Sequence, residues 1–148
     1  MHRPINPEAV PAPLGGYSQA LEVRPGLRWL QISGQIPESV DATIPDDFER
    51  QCNLVWDHLE QCLRAAGMRW QHLVHVRTYL TSREHADANS RIRQHRLLGA
   101  TPALTVIVVQ TLDPRWLLEI EAVAAAPHCW QLKGGRASNQ STWFVASS

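Results

Sequence analysis

Two glutamates in an otherwise apolar segment are the residues of this sequence best placed to do chemistry. Glu119 and Glu121 lie in the stretch WLLEIEAVAAA, which is separated from an earlier apolar run, TVIVV, by a turn at Asp113-Pro114-Arg115. Side chains of a β-strand alternate between its faces, so both acids share one face with Leu117 and Val123. Unpaired carboxylates in a sealed core are costly or take up protons. The mixed face therefore predicts a cleft or a subunit boundary, and a surface strand with two solvated acids is the alternative.

Other chemistry-bearing patterns in the sequence are weaker. His72 and His75 lie on a predicted strand at a spacing that projects them to opposite faces, and His58 with Cys62 has no nearby third ligand. Neither pair predicts a metal site. The segment Gly16-Tyr17-Ser18-Gln19-Ala20 lacks the last glycine of a nucleophile elbow and precedes a predicted hairpin instead of a helix. A serine hydrolase is therefore not expected.

The basic residues set two further limits. Arg83, Arg91, Arg93 and Arg96 cluster in one predicted helix, but 14 basic and 14 acidic residues leave the chain without net charge. We interpret this cluster as a solvated helix face paired with acids, because a phosphate-binding surface would need a local excess of charge or an aromatic platform. The only lysine, Lys133, lies in a polar segment near the C-terminus. Schiff-base catalysis by a buried lysine is therefore not expected.

The first half of the sequence predicts a hairpin followed by an amphipathic helix. Alternating residues on either side of Pro25-Gly26 predict two strands joined by a turn. Pro45 at a first helical position, with Asp46 and Asp47 in the first turn, predicts the start of a helix that Gly67 ends. Its buried stripe follows three- and four-residue steps: Phe48, Cys52, Val55, Leu59, Cys62 or Leu63, and Ala66.

The second half predicts a strand, a polar helix and two apolar strands. HLVHVRTYLTS is the strand, the capping box Thr81-x-x-Glu84 opens the helix, and Gly99 ends it. The complete order is β-β-α-β-α-β-β, with a further short N-terminal strand as an option. Helices separated by strands predict an α+β fold with both helices on one face of a mixed sheet.

Length and composition indicate one domain in a reducing compartment. The 148 residues include three cysteines without CxxC spacing, which fits reduced thiols in a cytoplasmic protein. The proline-rich N-terminus has no continuous apolar core, so neither a signal peptide nor a membrane anchor is expected. We expect the folded domain at residues 1–126. Residues 127–148, rich in Gly, Ser, Asn and Gln, are expected to form a tail with disordered parts.

Several segments together resemble the RidA/YjgF family, the reactive-intermediate and imine deaminases formerly labelled L-PSP endoribonucleases. The resemblance runs from about Pro13 to Ala124. It is carried by APLGGYSQA, ISGQIP, Gln51 and Asn53 with Leu63 to Gly67, TYLTS, Asn89, TPALTVIVV from Thr101, and EIEA at Glu119 to Ala122. Each segment alone is weak, and their combination is specific.

The resemblance implies a chorismate-mutase-like fold that assembles as a homotrimer, with the helices outside and small-molecule sites at the subunit interfaces. The implied chemistry is hydrolysis of a C=N bond without metal or organic cofactor. Glu119 would orient or activate the attacking water. Tyr17, Asn89, Gly34 and its neighbour Ser33 would shape the pocket. Neither a membrane nor a nucleic acid is an expected partner.

One position departs from the family pattern. Deaminases of the family have an arginine after Pro-Ala that grips the substrate carboxylate, whereas Leu104 follows Pro102-Ala103 here. A lost charge-assisted hydrogen bond costs about 1.5–3 kcal/mol, which is roughly tenfold or more in affinity. We therefore expect an arginine-lacking branch with an altered, less acidic substrate and deaminase-like hydrolysis. The alternatives are a non-catalytic metabolite-binding protein and, from another class, RNA cleavage through the basic helix.

Overall fold

The computed structural model describes residues 2–128, which form an α+β fold. Short 3-10 turns at Trp70–His72 and Arg83–His85 precede the fourth strand and the second helix. The strands are β1 (His2–Ile5), β2 (Ala20–Val23), β3 (Arg28–Gln35), β4 (Leu73–Leu80), β5 (Ala103–Val108) and β6 (Leu118–Ala126), and the helices are α1 (Phe48–Ala65) and α2 (Ala86–Leu97). This order matches the predicted one, including the additional N-terminal strand.

A mixed four-stranded sheet in the order β3-β6-β4-β5 forms the centre of the fold. β6 is antiparallel to both β3 and β4, and β5 is parallel to β4. Parallel neighbours need a crossover connection, which α2 provides. β1 and β2 form a separate two-stranded sheet.

One face of the four-stranded sheet is buried under both helices, as predicted. Trp56 and Leu59 from α1 and Ile92 from α2 belong to the same apolar cluster as Leu118 and Ile120 from β6. Glu119 and Glu121 alternate with these core residues and are half-buried on the opposite side. We call that opposite side the open face of the sheet. The two-faced character of β6 is thus confirmed.

Helix α1 has the predicted buried stripe but begins later than predicted. Asp47 is its N-cap, and its side chain accepts a hydrogen bond from Arg50 N at 2.9 Å, so Pro45 lies before the helix. Leu63, not Cys62, continues the buried stripe. Gly67 ends the helix with a φ of 63°, where a side chain would be strained.

The predicted hairpin across Pro25-Gly26 is wrong. The chain does turn there, with Gly26 at a φ of 79°, but β2 pairs with β1 and β3 pairs with β6. Turn residues predict that a chain reverses and leave open which strands bond to each other. The longer ladder with β6 determines the position of β3 because it buries Ile32 in the core.

The predicted capping box of α2 is also wrong. Thr81 Oγ1 donates to Leu117 O at 3.1 Å, so Thr81 ties the chain to the start of β6. Ser82 accepts from Glu84 N and caps the 3-10 turn that precedes Ala86. The helix ends at Leu97, two residues before Gly99.

No helix in residues 2–128 is long and apolar enough to cross a membrane. The predicted tail at residues 127–148 lies almost wholly outside the described residues.

Candidate functional site

Glu119 lies directly over the backbone of Gly34. A Cβ added to Gly34 would be 1.8 Å from Oε1 of Glu119 and 2.7 Å from its Cδ, so any side chain at residue 34 would displace the carboxylate. Gly34 and Ser33 occupy an irregularity in the β3–β6 register between Ile32 and Gln35. Such bulges redirect side chains and commonly adjoin functional sites. The glycine and the bulge together place the Glu119 carboxylate on the open face.

The two glutamates of β6 have different surroundings. Glu121 accepts hydrogen bonds from Arg77 Nη1 at 2.5 Å and from Tyr79 Oη at 3.3 Å. Within residues 2–128, the Glu119 carboxylate has no hydrogen-bond partner, although Tyr79 is its neighbour in the ladder. Burial and the nearby Glu121 charge raise the pKa of Tyr79. Glu121 is therefore held by two side chains, whereas the Glu119 carboxylate is free to accept a hydrogen bond or a proton.

A second group of predicted site residues lies at the edge of the sheet. Ser18 bridges to Ala103, its N donates to Pro102 O at 3.1 Å and its Oγ donates to Thr101 O at 2.8 Å. These bonds place Tyr17 and Leu104 on either side of the bridge. Leu104 packs against the core.

Helix α2 provides the remaining predicted residue, Asn89. Its side chain is buried, and its Oδ1 has no hydrogen-bond partner among the described residues. The segment before Tyr17 packs on the same helix, because Arg93 Nη2 donates to Gly15 O at 3.2 Å. We call Tyr17, Asn89 and Leu104 the α2 half-site, and Ser33, Gly34 and Glu119 the β6 half-site.

A single chain keeps the two half-sites apart. β4 lies between β6 and β5, which separates those strands by roughly 10 Å at the usual strand spacing. Glu119 also lies on the open face, whereas Leu104 packs on the core side of the sheet. The six predicted site residues therefore form two incomplete groups within one chain.

Strand β5 exposes an apolar edge. Among the described strands it pairs with β4 alone, and beyond the Ser18 bridge at Ala103 its other edge is free: Val106, Ile107 and Val108 are 37%, 46% and 49% exposed. Apolar edge strands are ordinarily covered, because their free backbone groups and apolar side chains invite association. The α2 half-site thus adjoins a surface suited to contact with another chain.

Two of the three arginines on α2 are paired with acids of α1. Arg91 Nη2 bonds to Glu49 at 2.5 Å, and Arg96 Nη1 bonds to Asp57 at 2.6 Å. The predicted acid-paired face thus holds for Arg91 and Arg96, whereas Arg93 is buried and has no carboxylate partner in residues 2–128. No group of three or more His, Cys, Asp or Glu side chains in residues 2–128 is arranged to hold a metal ion.

Gln51 is a positioning residue whose role the sequence did not reveal. Its Nε2 donates to Pro45 O and Arg115 O, at 2.7 and 2.9 Å, and its Oε1 accepts from Leu117 N at 2.8 Å. The buried amide thus joins the start of α1 to the start of β6, two residues before Glu119. The sequence does carry one signal for this role: Gln51 is a polar residue next to Cys52 and close to Phe48, both of which belong to the apolar stripe.

Comparisons with known proteins agree with this fold and these segments. The family model described as Endoribonuclease L-PSP matches residues 7–126. A RutC family protein from Aquifex aeolicus is 30% identical over 127 residues, covering 82% of this chain and 98% of the relative. A mouse 2-iminobutanoate/2-iminopropanoate deaminase is 28% identical, covering 81% of this chain and 88% of that protein.

Solved structures show the same relationship. The crystal structure of YyfB, a protein of the conserved Rid family from Yersinia pestis, superposes with a TM-score of 0.77 at 32% identity, covering 84% of this chain and 98% of that one. A Thermotoga maritima protein solved as a putative endoribonuclease has a TM-score of 0.64 at 25% identity, covering 86% of this chain and 100% of that one. The chain therefore belongs to the RidA/YjgF family, whose family model bears the name endoribonuclease L-PSP.

Proposed function

We propose that this protein hydrolyses the C=N bond of a small imine, including an imine formed by tautomerisation of an enamine, with Glu119 as general base, at sites formed between copies of the chain. The observation that carries the proposal is the Glu119 carboxylate, held over Gly34 without a hydrogen-bond partner in the described residues. A half-buried, unpaired carboxylate can accept a proton from an attacking water. The mouse relative, named for 2-iminobutanoate and 2-iminopropanoate, supports this class of reaction.

The proposed reaction needs only water and proton transfers. Glu119 takes a proton from water as the water oxygen attacks the imine carbon, and the C=N π electrons move to nitrogen, which takes up a proton from solvent. The resulting carbinolamine collapses when Glu119 passes its proton to the amine and the C–N bond breaks. The hydroxyl proton is released as the carbonyl forms. The products are a carbonyl compound and ammonia, and Glu119 returns to its carboxylate form.

The separation of the half-sites supports an assembly of several copies of the chain. A neighbouring copy that covers the apolar edge of β5 would bring its β6 half-site, with Ser33, Gly34 and Glu119, to the α2 half-site of the first copy. A homotrimer closes such heterologous contacts into a ring with three equivalent sites. The free thiols of Cys52 and Cys62 support a place in the reducing cytoplasm.

The two glutamates of β6 provide a matched test. Imines can be generated in the assay from amino acids by an L-amino-acid oxidase, and ammonia release can be followed with and without this protein. Glu119→Gln should reduce turnover by about 100-fold or more. Glu121→Gln removes the neighbouring carboxylate on the same face and should retain turnover within a few fold. Equal activity of Glu119→Gln and wild type would refute the proposed base.

A non-catalytic metabolite-binding role is the second candidate, and Leu104 is the observation that favours it. Without an arginine at this position, the α2 half-site lacks the fork that the family's deaminases use. A binding protein would show ligand-dependent stabilisation without turnover for any imine in a panel of acidic and uncharged compounds. Turnover that depends on Glu119 would exclude it.

A further inference from the structure

Arg93 is a buried cation without a carboxylate partner in residues 2–128. Its side chain is 4% exposed, and its Nε is enclosed without a hydrogen bond. A guanidinium has five N–H donors. Those of Nη2 reach Gly15 O and Ser90 Oγ, both at 3.2 Å, while Nε and Nη1 have no acceptor among the described residues.

The other arginines of α2 show that this is unusual for the helix. Arg91 and Arg96 project towards α1 and pair with Glu49 and Asp57. The titratable neighbours of Arg93 are instead the phenol of Tyr17 and the thiol of Cys52. Burial raises the pKa of Cys52 to about 12, so the thiol stays neutral near pH 7 and supplies no countercharge. Burial likewise lowers the pKa of Arg93.

A buried, unpaired guanidinium is destabilising unless an anion reaches it. Arg93 is one helical turn after Asn89, and Asn89 Oδ1 is a second buried polar atom without a partner. The Arg93 guanidinium needs a hydrogen-bond acceptor, and Asn89 Oδ1 needs a hydrogen-bond donor. Asn89 belongs to the α2 half-site and Arg93 adjoins it, since Arg93 donates to Gly15 in the segment that leads to Tyr17.

We infer that Arg93 binds the negatively charged group of this protein's ligand in the α2 half-site, in place of the arginine missing at residue 104. The ligand is a small organic anion with a neighbouring N–H or O–H donor for Asn89. This inference rests on the proposed function for the location of the site. An anionic ligand differs from the less acidic substrate that we expected from Leu104 alone.

The covering segment fits this role. Gly15 and Gly16 have φ values of 87° and 73°, so they adopt a backbone conformation that side chains disfavour. Gly15 therefore places only backbone beside the guanidinium, where an added Cβ would be 3.8 Å from Nη2 of Arg93. A ligand carboxylate can replace the Gly15 carbonyl as the acceptor for Arg93 with a stronger, charge-assisted bond.

The test compares a carboxylate with its neutral ester. The probes are 2-oxobutanoate and methyl 2-oxobutanoate, stable carbonyl analogues of an imine, and their dissociation constants are measured on the full-length protein by NMR titration. Wild type should bind the carboxylate about 10- to 100-fold more tightly than the ester. Arg93→Gln should bring this ratio close to one, and Arg93→Lys should keep part of it.

Arg91→Gln is the matched control, because it removes an exposed arginine of the same helix and should leave the ratio unchanged. A general loss of structure would weaken both probes together and would not change their ratio. If Arg93→Gln does not fold, the Nε–H resonance of Arg93 in the wild-type protein gives an independent measurement. It should shift when 2-oxobutanoate saturates the protein.

Two results would overturn the inference: a wild-type ratio near one, or an Arg93 Nε–H signal that does not move at saturation. The same titration in Glu119→Gln separates the inference from the proposed reaction. If Glu119→Gln keeps both its preference for the carboxylate over the ester and its turnover, the role of Arg93 is supported and Glu119 is not the base. Lost turnover together with a ratio near one would support the base and refute the role of Arg93.

Discussion

Replacing Gly34 with alanine should disable the site while leaving the fold intact. The added Cβ would be 1.8 Å from Glu119 Oε1, and ordinary van der Waals contact begins at 3.4 Å, so the carboxylate must move by about 1.6 Å. A displacement of about 1 Å from a productive geometry can reduce a rate by roughly 100-fold. We therefore expect Gly34→Ala to lower kcat/KM by about two orders of magnitude.

The stability of this variant should change little. Gly34 is not among the glycines with positive φ, so alanine fits its backbone conformation. Glu119 is only half-buried and can swing away from the added methyl group. We expect the free energy of unfolding, measured by urea denaturation, to fall by less than about 1 kcal/mol.

Gly26→Ala is the matched control with the opposite expectation. Gly26 has a φ of 79° and nothing within 4 Å of an added Cβ, so alanine there strains the backbone without touching the site. It should reduce stability by roughly 1 kcal/mol and leave kcat/KM unchanged. The double variant Gly34→Ala/Glu119→Gln should be no less active than Glu119→Gln alone, because Glu119→Gln already removes the carboxylate that Gly34→Ala displaces. Full activity of Gly34→Ala would show that the position of Glu119 is unimportant.

Two further predictions concern stability. Gln51→Ala leaves Leu117 N and two carbonyls without their buried partner. The free energy of unfolding, measured by heat and urea, should therefore fall by about 2–4 kcal/mol. An unchanged Tm would contradict the role of Gln51. Burial raises the pKa of Cys52 to about 12, from an ordinary value of 9.0, so the folded chain keeps a proton that the unfolded chain loses. Stability should therefore fall between pH 9 and pH 12, by up to about 1.4 kcal/mol per pH unit, and Cys52→Ala should flatten this fall in urea titrations.

Local periodicity was enough to predict the elements and the two faces of β6. Leu118 and Ile120 are buried and Glu119 is not, because alternation along a strand is a property of the backbone. The stripe of α1 was predictable for the same reason. The pairing of β2 with β1 was not, since it depends on which distant strand buries more surface.

The contacts that define the site are also long-range. The approach of Glu119 to Gly34 requires the β3–β6 register and its bulge, which the sequence pattern does not specify. The family resemblance identified both residues, and only the structure shows that one constrains the other. The sequence did not distinguish Arg93 from Arg91 and Arg96, which pair with acids of α1.

The most direct test of the account is complementation between two inactive variants. Glu119→Gln disables the β6 half-site and Asn89→Ala disables the α2 half-site. If each site combines one half from each of two neighbouring chains, each mixed trimer has one intact site of three. Unfolding equal amounts of the two variants and reassembling them together should therefore restore about a quarter of wild-type activity over all trimers, since about three quarters of randomly assembled trimers are mixed. Light scattering should show that trimers have re-formed. Mixed trimers without activity, or an active monomer, would contradict a site shared between chains.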